Sequence, residues 1–208
     1  MYKVRKEKVT LNIIFEDENL LVIDKPSGWV VNDSTTAHGN PTVQQWLMTN
    51  GQWLMAKNTE LRNGIVHRLD KETSGILVIA KDEQSLENLQ AQFANRTVVK
   101  KYIALLHGMV KEKSGVIKLK IGRLPYNRMR FGVFAGGRDS ETEYKVLSIK
   151  YRVSNNTKEL YSLVEFSPKT GRTHQIRIHA KHLGHPVVSD TFYAGRKVSK
   201  KDRVWCPR

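Results

Sequence analysis

The sequence predicts an α+β fold. Short apolar runs of strand length recur along the 208 residues, two segments carry apolar residues at helical spacing instead, and the connections between them are short and rich in turn residues. The expected architecture is a mixed, largely antiparallel sheet flanked by helices. Residues 1–10 are charged and read as an N-terminal extension that frays, and residues 11–208 as one domain.

Residues 11–24 read as extended pieces broken by a turn at Glu16-Asp17-Glu18-Asn19, and Lys25-Pro26-Ser27-Gly28 as a second turn, since Pro fixes φ and Gly frees it. Residues 33–39 are polar and loop-like. Thr42 is placed to cap a helix over 42–48. The run 75–81 has strand length and unbroken apolar character, which predicts a strand in the middle of a sheet. Asp82 then caps a helix whose Leu86, Leu89 and Phe93 form one stripe. Residues 98–106 read as a strand with Ile103 and Leu105 on one face and Tyr102, Ala104 and Leu106 on the other. Residues 119–137 place Arg123, Arg128 and Arg130 among glycines and aromatics and read as a mobile basic loop or hairpin. Strands are expected over 142–150 and 159–166. A helix is expected over 173–183, with Ile176, Ala180 and Leu183 on one face and His174, Arg177 and Lys181 opposite, ended by Gly184.

Composition narrows the function. Thirty-five Lys+Arg against twenty Asp+Glu give a net charge of +15, which points to a polyanionic partner, most often nucleic acid; a basic but unspecialised surface is the plain alternative. No stretch approaches the roughly 20 apolar residues of a spanning helix, and no secretory signal is visible at the start. The single cysteine, Cys206, excludes an internal disulfide and argues against a cysteine-based zinc site. A cytoplasmic protein that does not engage a membrane is the simplest expectation. No phosphate loop, dinucleotide fingerprint or G-x-S-x-G elbow occurs, so no cofactor is expected. His179, His182 and His185 are spaced by three, but Gly184 breaks the helix between them and no cysteine or carboxylate cluster joins them, so no metal is expected.

Two polar clusters remain. His67-Arg68-Leu69-Asp70-Lys71-Glu72-Thr73-Ser74-Gly75 precedes an apolar strand, where sites are commonly built. Arg68 and Lys71 flank Asp70 and favour its carboxylate, which suits a nucleophile or base; an ion pair beside a turn would look the same. Gly171-Arg172-Thr173-His174-Gln175-Ile176-Arg177-Ile178-His179 brings Arg and His to a helix start, which suits an anion and equally a solvated helix face.

Both clusters closely resemble signatures of the RluA family of RNA pseudouridine synthases, the second together with His185-Pro186. Leu21-Val22-Ile23-Asp24-Lys25-Pro26-Ser27-Gly28 looks like the family's first motif, and Lys100-Lys101-Tyr102-Ile103-Ala104-Leu105 like the segment carrying its tyrosine. The four occur in family order over residues 11–195, and the H-R-L-D-x-x-T-S-G match is highly specific. Asn32 stands where many relatives carry His. The resemblance implies further catalytic strands beyond Arg208, and no small RNA-binding domain fits before Leu11, so substrate selection is expected to rest on the catalytic domain.

The resemblance implies the pseudouridine synthase fold with a central RNA-binding cleft. It implies isomerisation of uridine to pseudouridine in structured RNA, ribosomal RNA first and transfer RNA second, by a monomer that does not act on DNA. By similarity Asp70 is the nucleophile, Tyr102 packs on the uracil and assists loss of the C5 proton, and Arg177 pairs with the aspartate. Arg68 helps displace the flipped base. His67, Thr73, Arg123, Arg128, Arg130, Arg172 and His174 are the other expected RNA contacts. A non-catalytic RNA-binding protein of the same fold is the alternative.

Overall fold

A computed structural model describes residues 10–33, 39–154 and 157–195; the side chains of residues 128–129 and 151–158 fall outside this description. Arg128's side chain, Cys206, the charged start up to residue 9 and most of the 33–39 loop are therefore outside the described residues. The chain divides into two compact units, residues 1–98 and 99–208, each described by itself.

In the first unit, β1 (Asn12–Glu16), β2 (Leu20–Lys25) and β3 (Gly75–Ala80) form an antiparallel sheet in the order β1-β2-β3. The β1–β2 turn is held by Asp17, whose Oδ1 accepts from the N–H groups of Asn19 and Leu20 at 2.8 and 2.6 Å. Helix α1 (Val43–Asn50) starts at Thr42, whose side chain accepts from the Gln45 N–H. Helix α2 (Glu83–Ala94) starts at Asp82, which accepts from both the N–H and the hydroxyl of Ser85. Leu86 is buried with Met55 and Ala80, and Leu89 packs against that cluster.

The expectation for β3 needs correction. It is not central: β2 pairs along its whole length, but among the described residues its other side carries one bridge, between Ile79 and Ile65. Its apolar character serves its faces, with Leu77, Ile79 and Ala80 buried, while Ile76 is 59% exposed. An apolar run reports what covers a strand's faces and does not distinguish an edge from a centre.

In the second unit, β4 (Tyr102–His107), β5 (Ser114–Leu124), β6 (Asn127–Val133), β7 (Arg138–Ser154) and β8 (Thr157–Pro168) form an antiparallel sheet in the order β4-β8-β7-β5-β6. Among the described residues the ladders of both sheets are antiparallel, in keeping with the largely antiparallel sheet expected, and one parallel bridge, Val30 to Thr42, lies outside the strands. The first strand of this unit begins at Tyr102, later than expected, and Val99 is 82% exposed. Residues 119–137 form a β-hairpin from β5 and β6, so the hairpin reading holds and the loop reading does not. Strand β7 extends well beyond 142–150 at both ends, with a bulge between Val146 and Ser148.

Helix α3 (Gln175–His182) begins two residues late because His174 takes a left-handed conformation, φ 57°, and cannot continue a helix. Ala180 joins the core of Leu106, Val110, Ile117, Tyr144, Val164 and Phe166, and Ile176 and Leu183 pack against it, as their spacing predicts. The helix is buried more widely than that stripe. Ile178 meets Ile121 and Tyr193, and Gln175 and His179 are buried too.

Hydrogen bonds account for Gln175 fully and for one nitrogen of His179. Gln175 Oε1 accepts from the Thr170 hydroxyl and the Arg172 N–H, and its Nε2 donates to the Glu141 carbonyl and the Thr142 hydroxyl, all at 2.8–3.0 Å. One amide thus ties residues 170–175 to β7. The Ser140 hydroxyl donates to the Leu119 carbonyl, so it accepts from His179 Nε2–H at 2.9 Å. His179 Nδ1 is then a bare acceptor, with no partner among the described residues. His179 is therefore a core residue bound to β7, while His185 Nδ1 donates to the His107 carbonyl. His179 and His185 thus serve separate structural contacts, and His182 is exposed.

These packings predict two outcomes. Gly64 has φ 78°, and a Cβ there would lie 2.0 Å from the Ala80 carbonyl oxygen. Gly64→Ala should cost about 2–4 kcal/mol, seen as a clear fall in the thermal midpoint. Gly171→Ala, where a Cβ meets nothing within 4 Å and φ is ordinary, should leave the midpoint in place. Burial, reinforced by the charge of His182, lowers the His179 pKa to about 4 from 6.5. The unfolded chain binds that proton below about pH 6.5 and the folded chain does not. Stability is therefore full above pH 6.5 and falls as the pH drops towards 4, by about 3 kcal/mol. Urea midpoints between pH 7.5 and 4 should show this slope, and His179→Gln should flatten it.

Candidate active site

The first unit builds its polar loop on a buried lysine. Lys25 has no exposed surface. Its ammonium donates to the carbonyls of Pro26, Trp29 and Lys71 at 3.0, 2.9 and 3.2 Å, so all three protons have acceptors. Burial lowers its pKa to about 8, against the opposing pull of the Glu72 and Asp70 carboxylates. The cost of burying the charge is carried in full below about pH 8 and disappears as the pH rises towards 10.5.

The turn 26–28 adds two more ties to the same loop. The Gly28 N–H donates to the Lys71 carbonyl at 2.8 Å, in a conformation, φ 90°, that suits glycine. The Ser27 hydroxyl donates to the Glu72 carbonyl at 3.0 Å. Within the loop the Thr73 N–H donates to the Asp70 carbonyl, closing a tight turn around Asp70. On its N-terminal side Leu69 is buried, and His67 is anchored twice: Nε2 accepts the Val78 N–H at 3.0 Å, and the ring stacks on Phe93 with centroids 4.9 Å apart. His67 therefore holds the loop to β3 and α2. Asp70 is half-buried and Arg68 exposed, so the loop presents both side chains from a backbone pinned on each side.

The second unit carries Tyr102 and Arg177. Tyr102 opens β4 opposite Phe166 and packs against the main core cluster. Arg177 lies on α3, and its guanidinium forms a two-pronged pair with Asp190, Nε to Oδ2 at 2.7 Å and Nη2 to Oδ1 at 2.9 Å. Asp190 Oδ1 also accepts the N–H groups of Phe192 and Tyr193. Burial alone would raise the Asp190 pKa; the Arg177 hydrogen bond and charge, with the two N–H groups, more than reverse this and hold it below the usual carboxylate value. The guanidinium carbon lies 5.0 Å from the Tyr193 ring centroid and 5.9 Å from that of Phe192.

The neighbouring basic residues also rest on aromatics. Arg130 lies over Phe192 at 5.5 Å and Arg123 over Phe131 at 4.9 Å. His174 shares a hydrogen bond of 2.8 Å with the Tyr193 hydroxyl, which itself donates to the Phe131 carbonyl, so His174 Nδ1 is the donor. Arg172 Nε donates to the Asp139 carbonyl, and Thr173 is exposed beside it.

Sequence reasoning missed Asp190, the clamping role of Lys25 and the Gln175 tie. Asp190 lies between Ser189 and Thr191, with Val187-Val188 before them and Phe192-Tyr193 after. An acid between two apolar pairs is the signal in the sequence that a partner is required if it is buried.

The RNA pseudouridylate synthase family model matches residues 19–182. The chain is 40% identical over 190 residues to an uncharacterised RNA pseudouridine synthase of Synechocystis sp., covering 90% of this chain and 55% of that protein. It is 39% identical over 194 residues to an uncharacterised RNA pseudouridine synthase of Bacillus subtilis, covering 93% and 61%. It is 41% identical over 188 residues to the ribosomal large subunit pseudouridine synthase D of Nitrosomonas europaea, covering 90% and 51%. The chain thus spans little more than half the length of these relatives. Among solved structures, human RNA pseudouridylate synthase domain containing 1 superposes with a TM-score of 0.73 at 29% identity, over 93% of this chain and 73% of that one. In sequence and in fold, the chain belongs to the RNA pseudouridylate synthase family, in its RluA branch.

Proposed function

We propose that the protein isomerises uridine to pseudouridine in RNA, with ribosomal RNA as the first substrate class and transfer RNA the second. The observation that carries this reading is the Asp70 loop. A carboxylate stands on a backbone held by Lys25, Ser27, Gly28 and His67, within the most specific motif of the family. Rigid presentation is what a nucleophile requires, because a misplaced reacting atom forfeits rate.

In the reaction the bond from the sugar C1′ to N1 breaks and a bond from C1′ to C5 forms. The C5 hydrogen leaves as a proton and N1 takes one up, so the change is balanced without an oxidant, a reductant or water as a reactant. Asp70 is the nucleophile. Tyr102 packs on the uracil and assists loss of the C5 proton. Arg177 orients the aspartate, and Asp190 fixes the guanidinium of Arg177. A nucleotide inside an RNA helix must be flipped to react, at a cost of a few kcal/mol. Arg68, exposed and planar, is suited to the space the base leaves. Arg123, Arg128, Arg130 and Arg172 grip phosphates, in keeping with the +15 net charge. A large-subunit enzyme among the relatives supports ribosomal RNA as the first choice.

Tritium release from ribosomal RNA labelled at C5 of uridine tests the chemistry. Wild type should release tritium, and Asp70→Asn should lower the rate by roughly a thousandfold or more while keeping RNA affinity. Equal release from both would move the chemistry off Asp70. Lys25→Met removes the ammonium and leaves the Pro26 and Trp29 carbonyls without its hydrogen bonds, while the Lys71 carbonyl keeps only the Gly28 N–H. It should destabilise the protein by about 2–4 kcal/mol and lower kcat more than it raises KM. A lowered midpoint with unchanged kcat would mean that Lys25 serves stability alone.

A further inference from the structure

The second unit contains a hollow of about 360 Å³ between the β5–β6 hairpin, the turn into β7 and the segment 171–173. Its size lies within the range of small-ligand sites, roughly 300–1,000 Å³. Arg123, Arg138 and Arg172 line it together with Phe131, Phe134 and Thr173, and no carboxylate is among its lining residues. Three arginines line one hollow, and an anion placed there meets their combined positive charge. Arg172 is oriented by its bond to the Asp139 carbonyl and Arg123 by its contact with the Phe131 ring.

The wall is built around Phe134. A Cβ on Gly122 would lie 2.7 Å from one carbon of that ring, and a Cβ on Gly136 would lie 2.8 Å from another. A Cβ on Gly137 would lie 2.8 Å from the backbone of Lys120 and Ile121, so this position has no room for a side chain either. The three glycines let the turn fold down onto β5 and seat an aromatic ring beside the arginines. Guanidinium groups with an aromatic ring are the chemistry of a nucleotide site: phosphate on the charges, base on the ring.

We propose that this hollow is a subsite for one unpaired nucleotide of an RNA strand, whose phosphate is held by Arg123, Arg138 and Arg172 and whose base stacks on Phe134. The proposal rests on the reading of RNA as the ligand. It gives the basic hairpin a task beyond non-specific grip: it holds one unstacked base, so a substrate with an unpaired nucleotide at the matching distance is preferred over a regular helix. A free nucleotide offers the same chemistry, and the test separates the two.

Fluorescence anisotropy with two labelled probes reads the site without turnover: a 12-residue oligouridylate, and a ribose-phosphate oligomer of the same length without bases. Wild type should bind the first about tenfold more tightly. Phe134→Leu, which keeps apolar bulk without an aromatic ring, should abolish most of that preference, and Phe134→Tyr should retain it. Arg138→Ala should weaken both probes and lower the slope of log affinity against log salt by about 0.7. Thermal melts identify any variant that has not folded, and Phe134→Tyr and Arg138→Ala then carry the comparison. A base preference that survives Phe134→Leu, or a salt slope unchanged in Arg138→Ala, overturns the proposal. So does saturable binding of uridine monophosphate that needs Arg138 while neither RNA probe responds to the variants, because the hollow then serves a free nucleotide. Absence of tritium release from wild type would instead defeat the synthase reading, and the binding results would still decide this one.

Discussion

A lysine side chain with no exposed surface holds the Asp70 loop of the first unit. Burying an ammonium is costly, and the cost is tolerable here because three carbonyl oxygens surround Lys25 Nζ and two carboxylates lie near. One of those carbonyls belongs to Lys71, next to Asp70. The turn that supplies the lysine and the loop that presents the aspartate are therefore one structure, although Lys25 and Asp70 are 45 positions apart in the chain. The K-P-S-G turn reads as a structural element whose purpose is the conformation of another segment.

The second unit uses the same principle with different groups. Asp190 is buried and has four donors: two from Arg177 and two from the main chain. Gln175 is buried and makes all four of its hydrogen bonds. Both residues are saturated, so each has one favourable arrangement, and each arrangement fixes an end of the segment carrying Arg172, His174 and Arg177. The aromatics Phe131, Phe192 and Tyr193 then shield the cations that remain at the surface. Polar groups in the interior set the geometry, and the apolar clusters supply the mass against which they are set.

Much of the secondary structure was legible because its causes are local. Thr42 and Asp82 cap helices through bonds to residues three positions away. Gly28 and Gly184 take positive φ where the chain turns. The stripe of Leu86, Leu89 and Phe93 faces inward as its spacing requires. The misreadings share one origin. Whether β3 is an edge and how far β7 extends depend on partners distant in sequence, which a local pattern does not report.

By itself the sequence determined the fold class and the family, because motif identity and local periodicity are written along one dimension. Only the tertiary structure decided that His67 anchors a loop, that His179 lies in the core on Ser140, and that Arg177 takes Asp190 as a partner. It also decided that the glycines around Phe134 open a basic hollow. These are outcomes of burial. A polar side chain removed from water must find a hydrogen-bond partner, and which partner it finds depends on what folding brings beside it.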